Sequence, residues 1–222
     1  MLTNKRIVIT GAAGTLGQAT AICAGQLGAH VVGLDIVEAT TLANTAEYYQ
    51  LDLLDGSATR ARFEALGEID ALLNIAGGFA MGTQASDWSE DEWQLMFRLN
   101  VDTLRNATRA AVPALRASGG AIVNIGALGA LSGGADMSAY ACAKSSVMRL
   151  TESLSEELKQ DGINVNAVLP SIIDTPPNRE GMPDADFDTW VAPEKLASVI
   201  CFLASEGASA VHGALLPVKG LV

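Results

Sequence analysis

A glycine-rich turn between an apolar strand and a helix is the feature that most constrains the fold. The strand Arg6–Thr10 is rich in β-branched residues, and the seven residues after it read GAAGTLG. Glycines at such a junction allow a tight turn and let the backbone approach a pyrophosphate at the helix N-terminus. A turn that serves packing alone is the other interpretation. We predict that the phosphates of a dinucleotide are bound by Gly11, Gly14, Thr15, Leu16 and Gly17.

Short apolar runs alternate with longer amphipathic segments along the rest of the chain. The runs predict strands at 30–34, 48–53, 69–75, 121–125, 163–169 and 214–218. The amphipathic segments predict helices at 14–27, 57–66, 89–118 with a break near its start, 138–160 and 193–204. Continuous apolar strands separated by helices are typical of a parallel sheet covered on both faces. We expect a single α/β domain over residues 1–222, with a Rossmann-type doubly wound parallel sheet of about seven strands.

Residues 170–190 interrupt this alternation. Prolines crowd the segment, at positions 170, 176, 177 and 183, together with Gly181. A long irregular segment inside a compact domain is often a functional lid. We therefore predict that residues 170–190 form a substrate loop.

The charge and cysteine content of the chain exclude several classes of partner. The 222 residues carry 14 Lys and Arg against 25 Asp and Glu, a net charge of −11 without a basic cluster. Nucleic acid and anionic membranes are therefore poor partners, and we expect a small-molecule substrate. The apolar runs fall short of about 18 residues, which predicts no membrane-spanning helix. Three scattered cysteines and two histidines predict neither a disulfide framework nor a metal site, and we expect a cytoplasmic protein without a signal peptide.

The residues at the ends of three predicted strands have the chemistry of a nucleotide site. Asp35 can accept hydrogen bonds from a ribose, and its charge would repel a 2′-phosphate that Ile36 does nothing to neutralise. This favours NAD over NADP. Asp52 can meet the adenine region or cap the following helix. Small residues at the end of the fourth strand, Ala76 and Gly77, leave room for a ligand or form a tight turn.

Tyr140 and Lys144 are four residues apart at a helix start, so their side chains share one face. An ammonium group near a phenol stabilises the phenolate and lowers its pKa. We therefore predict that Tyr140 exchanges a proton near neutral pH. Such a pair is common on helices, and it gains weight here from the glycine-rich turn upstream.

Together these segments resemble the short-chain dehydrogenase/reductase family over essentially the whole chain. The segments that carry the resemblance are 10–17, 35, 52–53, 74–77, 100–101, 140–144 and 170–175. The resemblance implies a nicotinamide cofactor, with Tyr140 as the catalytic acid/base and Lys144 also on the nicotinamide ribose. It implies a water-linked proton relay at Asn100, a contact of Thr175 with the carboxamide, and cofactor contacts of Leu53 and Pro170. It also implies a homodimer or homotetramer built through the helices at 98–118 and 138–160.

The chain departs from the family pattern at three places. Gly14-Thr15 shifts the glycine spacing by one position, and Ser171 replaces the glycine that usually follows the proline. At the usual place of the catalytic serine, about thirteen residues before the tyrosine, stands Ala127. Loss of one oxyanion donor typically removes about 2.7–4 kcal/mol of transition-state stabilisation. A hydroxyl supplied by Ser132 or Ser138 is the alternative that we keep.

One branch of the family, the dihydropteridine reductases, lacks this serine and uses NADH. Segments 35–38, 76–80, 174–179 and 182–187, with Trp190, resemble that branch. The resemblance implies hydride transfer to a conjugated ring such as a quinonoid dihydropteridine, bound near Ala127 and between the flat faces of Phe79 and Trp190. Each aromatic side chain is equally consistent with simple packing. A conventional ketoreductase and a non-catalytic dinucleotide-binding sensor are the alternatives.

Overall fold

Seven parallel strands form one sheet at the centre of the molecule. The computed structural model describes residues 1–38, 42–87 and 89–222. The sheet order is β3-β2-β1-β4-β5-β6-β7, and every neighbouring pair is parallel. This confirms the predicted doubly wound sheet. The strands are β1 Arg6–Thr10, β2 His30–Asp35, β3 Glu47–Gln50, β4 Ala71–Asn74, β5 Gly120–Ile125, β6 Ile163–Pro170 and β7 Leu215–Val218.

Helices cover both faces of the sheet. Successive side chains of β1 point to opposite faces: Ile7 and Ile9 belong to one core cluster, and Val8 belongs to another. Because both faces are buried, the strand has to be apolar without alternation, as its sequence is. The helices are α1 Thr15–Gln26, α2 Gly56–Leu66, α3 Glu90–Phe97, α4 Thr103–Ser118, α5 Ser138–Leu158, α6 Pro176–Gly181 and α7 Pro193–Leu203.

The predicted break in the long fourth helical segment is a π-helical turn at Arg98–Asp102, between α3 and α4. The α3 helix begins as its sequence predicts: Ser89 accepts a hydrogen bond from the backbone N–H of Glu92 at 3.4 Å, and acidic residues fill the first turn. Asn100 lies within the π-turn. Such single turns are frequent at functional sites, and here the amide of Asn100 bonds the backbone of Gly78 in the loop after β4.

Two strands are shorter than the sequence predicts. The run at 69–75 gives only Ala71–Asn74, because its ladder partner β1 ends where Thr10 pairs with Asn74. The run at 48–53 gives Glu47–Gln50, after which the Asp52 carboxylate accepts the backbone N–H of Leu54 at 2.9 Å in a turn. Hydrogen-bond partners, rather than hydrophobicity, therefore set the ends of these strands.

The segment at 170–190 is more ordered than its prolines suggest. It contains α6 and a 3-10 turn at Phe187–Thr189. Backbone hydrogen bonds from Asp174 to Val191 and from Val191 to Ile172, both of 2.9 Å, join the two ends of the loop. Only the part of the loop nearest to β6 and α6 therefore faces the carboxyl edge of the sheet.

Candidate active site

A single cleft of about 1050 Å³ runs along the carboxyl edge of the sheet. Since all the strands are parallel, the loops that follow β1 to β6 converge on this edge. Most of the residues predicted for the site line it: Gly11, Gly14, Thr15, Leu16, Gly17, Asp35, Asp52, Leu53, Ala76, Gly77, Phe79, Ala127, Tyr140, Lys144, Pro170 and Thr175. Asn100 and Trp190 do not.

The glycine-rich turn is built for a close approach. Gly11 has φ +67°, and a Cβ there would lie 2.7 Å from the backbone nitrogen of Ala76. A Cβ at Gly17 would lie only 2.0 Å from the carbonyl oxygen of Gly11. At Gly14, by contrast, the nearest atom would be 3.5 Å away. Gly14 stands at the N-cap of α1 and has no side chain with which to occupy the first-turn amides, so these can serve an anionic ligand.

Asp35 joins the end of β2 to the glycine-rich turn. Its carboxylate accepts the backbone N–H of Ala13 at 2.9 Å and that of Val37 at 3.3 Å. The neighbouring side chain of Ile36 is 60% exposed and lines the cleft beside it. This end of the cleft therefore has a fixed negative charge next to an apolar surface.

Asp52 is exposed at the same end, and Leu53 is buried beside it. The capping role considered for Asp52 is wrong. The residue that caps α2 is Asp55, whose carboxylate accepts the backbone N–H groups of Ser57 and Ala58 at 3.0 and 2.9 Å. The carboxylate of Asp52 accepts the backbone N–H of Leu54 at 2.9 Å, and its exposed side chain lines the cleft.

Gly77 fills the narrow space between Asn100 and Lys144. A Cβ at Gly77 would lie 2.7 Å from Oδ1 of Asn100 and 3.5 Å from Nζ of Lys144. Asn100 is 1% exposed, and its amide bonds the backbone of Gly78 twice, accepting from N–H at 3.2 Å and donating to C=O at 3.0 Å. The side chain of Asn100 therefore holds the loop after β4 in place from behind the cleft.

Lys144 is buried beneath the cleft, with 7% of its surface exposed. Its Nζ donates to the carbonyl oxygen of Ile125 at the end of β5, at 2.8 Å. Burial lowers the pKa of Lys144 from 10.5 to about 8. At neutral pH this side chain is still mostly charged, but it can lose its proton in mildly alkaline solution.

Tyr140 behaves differently from the expectation drawn from its spacing to Lys144. Burial raises the pKa of Tyr140 from 10.0 to about 12, because desolvation disfavours the charged phenolate. The ring of Phe79 packs edge-on against that of Tyr140, with centroids 4.8 Å apart. Tyr140 therefore keeps its proton at neutral pH, which is the state of a proton donor.

The place of the family's catalytic serine is filled by Ala127, which is 5% exposed and lines the cleft. Ser132 and Ser138, the alternative sources of a hydroxyl, lie outside the lining. Two of the lining hydroxyl groups donate to backbone carbonyls: Ser171 to Lys219 at 2.5 Å and Thr103 to Leu99 at 2.7 Å. Because neither Ser132 nor Ser138 lines the cleft, relocation of the catalytic hydroxyl to one of these two serines is not supported.

Only one of the two predicted substrate aromatics faces the cleft. Phe79 is 52% exposed in the lining, whereas Trp190 is 6% exposed and packs against Phe187 at 4.8 Å. The prediction for Trp190 is wrong, because the backbone bonds at Val191 draw the end of the loop back onto the domain. Thr175 also lines the cleft, where it caps α6 by accepting the backbone N–H of Asn178 at 3.4 Å.

Sequence reasoning missed the methionines of the cleft. Met81, Met137 and Met182 come from three different loops or helix ends, and all three line it. No periodicity or motif marks these positions, and only their meeting in space identifies them.

Two negative findings concern the described residues. Among residues 1–38, 42–87 and 89–222, no group of three or more histidine, cysteine or acidic residues is placed to hold a metal ion. None of the helices that these residues form has both the length and the apolar character that crossing a membrane requires.

A glycine-rich βα turn, an acidic residue at the end of β2, and a partly buried tyrosine four residues before a buried lysine are typical of nicotinamide-dependent oxidoreductases. The sequence profile of the short chain dehydrogenase family matches residues 5–185. The chain belongs to this family of NAD(P)-dependent oxidoreductases.

Relatives in this family cover nearly the whole chain. Meso-2,3-butanediol dehydrogenase of Serratia marcescens is 32% identical over 98% of this chain and 94% of its own length. The 3-oxoacyl-(acyl-carrier-protein) reductase of Thermotoga maritima is 31% identical over 99% and 98%. A solved structure, a putative NAD(P)-dependent gluconate 5-dehydrogenase from Beutenbergia cavernae with bound NADP, is 30% identical with a TM-score of 0.90, covering 99% of this chain and 96% of its own.

Proposed function

We propose that this protein is an NADH-dependent reductase of a conjugated cyclic substrate, with a quinonoid dihydropteridine as the first candidate. The observation that carries the proposal is Ala127 in the place of the catalytic serine, in the same cleft as Tyr140. A carbonyl substrate needs a donor for the negative charge that develops on its oxygen. A conjugated imine spreads that charge over its ring and depends less on such a donor.

A nicotinamide dinucleotide fits the cofactor end of the cleft. The backbone of the turn comes so close to Gly17 that no side chain fits there. A turn this tight and without a side chain at Gly17 can present its backbone amides to a phosphate at close range. The residues that we propose to hold the cofactor are Gly11, Gly14, Thr15, Leu16, Gly17, Asp35, Asp52, Leu53, Ala76, Gly77, Lys144, Pro170 and Thr175.

We propose a preference for NADH over NADPH. Asp35 would meet the adenosine ribose with its carboxylate, and a 2′-phosphate there would face that negative charge beside an apolar Ile36. The related gluconate 5-dehydrogenase was solved with bound NADP. Cofactor preference therefore has to be measured for each member of the family.

Tyr140 supplies the proton of the reduction. A bound reduced nicotinamide supplies the hydride. The hydroxyl of Tyr140, protonated at neutral pH, donates to the other end of the conjugated system, and the tyrosinate that remains takes a proton from water. The ammonium of Lys144 stabilises that tyrosinate. Asn100 acts as a positioning residue, since its amide fixes the backbone of Gly78 beside the site.

The similarity to a butanediol dehydrogenase and to a 3-oxoacyl reductase favours a second candidate, reduction of an ordinary ketone. The two candidates differ in what a restored hydroxyl would do. If the site is adapted to a conjugated ring, Ala127→Ser should raise ketone reduction by about 10²–10³-fold and change the reduction of the conjugated ring little. A wild-type protein that already reduces ketones well, and gains nothing from this substitution, would be a ketoreductase.

The direct test follows the absorbance of NADH with quinonoid dihydrobiopterin. We expect turnover above the spontaneous reaction, and a loss of about 10²-fold or more in Tyr140→Phe. Tyr49→Phe is the matched control, because Tyr49 bonds Glu47 outside the cleft. No turnover above background would refute the dihydropteridine substrate. If the protein binds NADH but shows no activity that depends on Tyr140, the alternative of a non-catalytic dinucleotide-binding sensor would be favoured.

We also propose that the protein is a homodimer or homotetramer in a reducing compartment such as the cytoplasm, with residues 170–190 as its substrate loop. The support for assembly is membership of a family whose members typically form oligomers. The small residues Ala107, Ala111, Ala141 and Ala143 add nothing to it, because they are buried within the protomer's own core. Light scattering coupled to gel filtration measures the assembly directly, and a monomeric mass would refute it.

A further inference from the structure

We propose that this cleft selects neutral ring substrates against the corresponding carboxylates. The selection comes from the apolar mouth, by which we mean the side chains of Phe79, Met81, Met137 and Met182. This inference rests on the proposed function to the extent that the cleft has to be a substrate site. It adds the charge class of the substrate, which neither the family nor the relatives determine.

The apolar mouth exposes surface that a ligand would cover. Met81 is 60% exposed, Phe79 52% and Met182 37%. Large apolar side chains grouped around a cleft mark a site of ligand or partner contact. Covering these side chains removes apolar surface from water, so a ring that fills the mouth gains affinity from this burial.

Hydrogen bonds hold two sides of the mouth together. The backbone N–H of Gly82 donates to the carbonyl oxygen of Asp136 at 2.7 Å, and Thr83 forms a β-bridge with Met137. The loop that carries Phe79 and Met81 is therefore fixed to the segment that begins α5. Methionine side chains adapt their shape to a ligand, so a fixed backbone with flexible side chains suits rings of differing outline.

The charges of the site give a carboxylate no partner. Among the described residues that line the cleft, the acids Asp35 and Asp52 lie at the cofactor end. The one lysine there, Lys144, lies below the surface and donates to Ile125. A buried carboxylate without a paired cation is strongly disfavoured.

The nearest arginine of the substrate loop is engaged elsewhere. Arg179 on α6 makes two hydrogen bonds to the carboxylate of Asp174, at 2.5 and 2.7 Å. Its guanidinium carbon lies 4.7 Å from the ring centre of Phe187. Arg179 does not line the cleft, and its guanidinium is already paired with a carboxylate. The net charge of −11 adds long-range repulsion of anions.

The test measures binding rather than turnover. Ligand-observed NMR titrations of the NADH-saturated protein at pH 7 would compare cyclohexanecarboxamide with cyclohexanecarboxylate, which share a ring and differ in charge. We expect the amide to bind at least ten-fold more tightly. Equal or tighter binding of the carboxylate would overturn the inference, and so would failure of the amide to bind at millimolar concentration.

Two variants locate the effect. Met182→Lys should raise carboxylate affinity about ten-fold, whereas Met182→Gln, of similar length without charge, should not. Phe79→Ala should weaken amide binding several-fold. Its matched control is Phe202→Ala, because Phe202 is 40% exposed on α7 away from the cleft. Unchanged affinities in both Met182→Lys and Phe79→Ala would show that the mouth does not select.

Failure of this inference is distinguishable from failure of the proposed function. Tyr140→Phe should abolish turnover and leave the ratio of amide to carboxylate affinity unchanged. Turnover that depends on Tyr140, together with preference for the carboxylate, refutes only the charge class. Preference for the amide without turnover on any conjugated ring refutes only the proposed reaction.

Discussion

The ring of Phe79 stands edge-on to the ring of Tyr140, with an angle of 88° between their planes and 4.8 Å between their centroids. Phe79 is itself half exposed, so it separates the phenol from the open cleft. Burial is what raises the pKa of Tyr140 to about 12. An apolar residue of the substrate side therefore helps to keep the proposed proton donor protonated.

Replacing Phe79 should change this pKa. In Phe79→Ala we expect the pKa of Tyr140 to fall from about 12 toward its ordinary value of 10.0, because water reaches the phenol. Titration by NMR of protein labelled with ¹³C-tyrosine measures it, and Tyr140→Phe assigns the signal. Phe202→Ala is the control. An unchanged titration of Tyr140 would mean that the rest of the pocket, and not Phe79, causes the desolvation.

Lys144 should reduce the stability of the fold below pH 8. Its pKa is about 8 when folded and 10.5 when unfolded. Below pH 8 both states hold the proton, and the buried ammonium costs about 3 kcal/mol. As the pH rises from 8 to 10.5 the folded state loses the proton first, and the free energy of unfolding increases.

Lys144→Met should therefore stabilise the cofactor-free protein. The loss of the hydrogen bond to Ile125 removes about 1 kcal/mol, which leaves a net gain of about 2 kcal/mol at pH 7. Urea unfolding at pH 7 and pH 10 measures the gain, which should shrink at the higher pH, while activity is lost at both. The control Lys195→Met, at an exposed lysine, should change neither the free energy of unfolding nor the activity. Destabilisation of Lys144→Met at pH 7 would contradict the argument.

Alanine substitutions at Gly14 and at Gly17 should differ sharply in their effect on the stability of the fold. Gly17→Ala places a Cβ 2.0 Å from the carbonyl of Gly11 and should lower the free energy of unfolding by about 1–3 kcal/mol or more. Gly14→Ala meets its nearest atom at 3.5 Å and should remain within about 1 kcal/mol of wild type. Thermal unfolding followed by circular dichroism compares them, and equal stabilities would show that the turn relaxes.

Cofactor preference should follow the charge at the end of β2. The double variant Asp35→Ala, Ile36→Arg should shift the ratio of NADPH to NADH affinity upward by at least ten-fold, since it removes a repelling carboxylate and adds a phosphate partner. Quenching of protein fluorescence measures both affinities. Glu38→Ala removes a nearby acid that does not line the cleft and should leave the ratio unchanged. A wild-type preference for NADPH would refute the assignment to NADH.

Much of the fold could be predicted from the sequence, because parallel strands buried on both faces have to be continuously apolar. The run at Arg6–Thr10 and the glycines after it determined the strand, the turn and the start of α1. Local pattern decides these features, since they depend on neighbours along the chain. The missing hydroxyl at Ala127 was identified in a different way, through the resemblance to the short-chain dehydrogenase family.

Only the tertiary structure decided which side chains reach the cleft and with what charge. Trp190 and Phe79 are indistinguishable as aromatic residues in loops, yet backbone bonds at Val191 bury the first and leave the second at the mouth. The direction of the pKa shift of Tyr140 depends on desolvation by residues distant in sequence. The sequence determined the sheet and the chemistry that its edge carries, whereas long-range packing decided which groups are covered, because burial is a property of the whole surroundings.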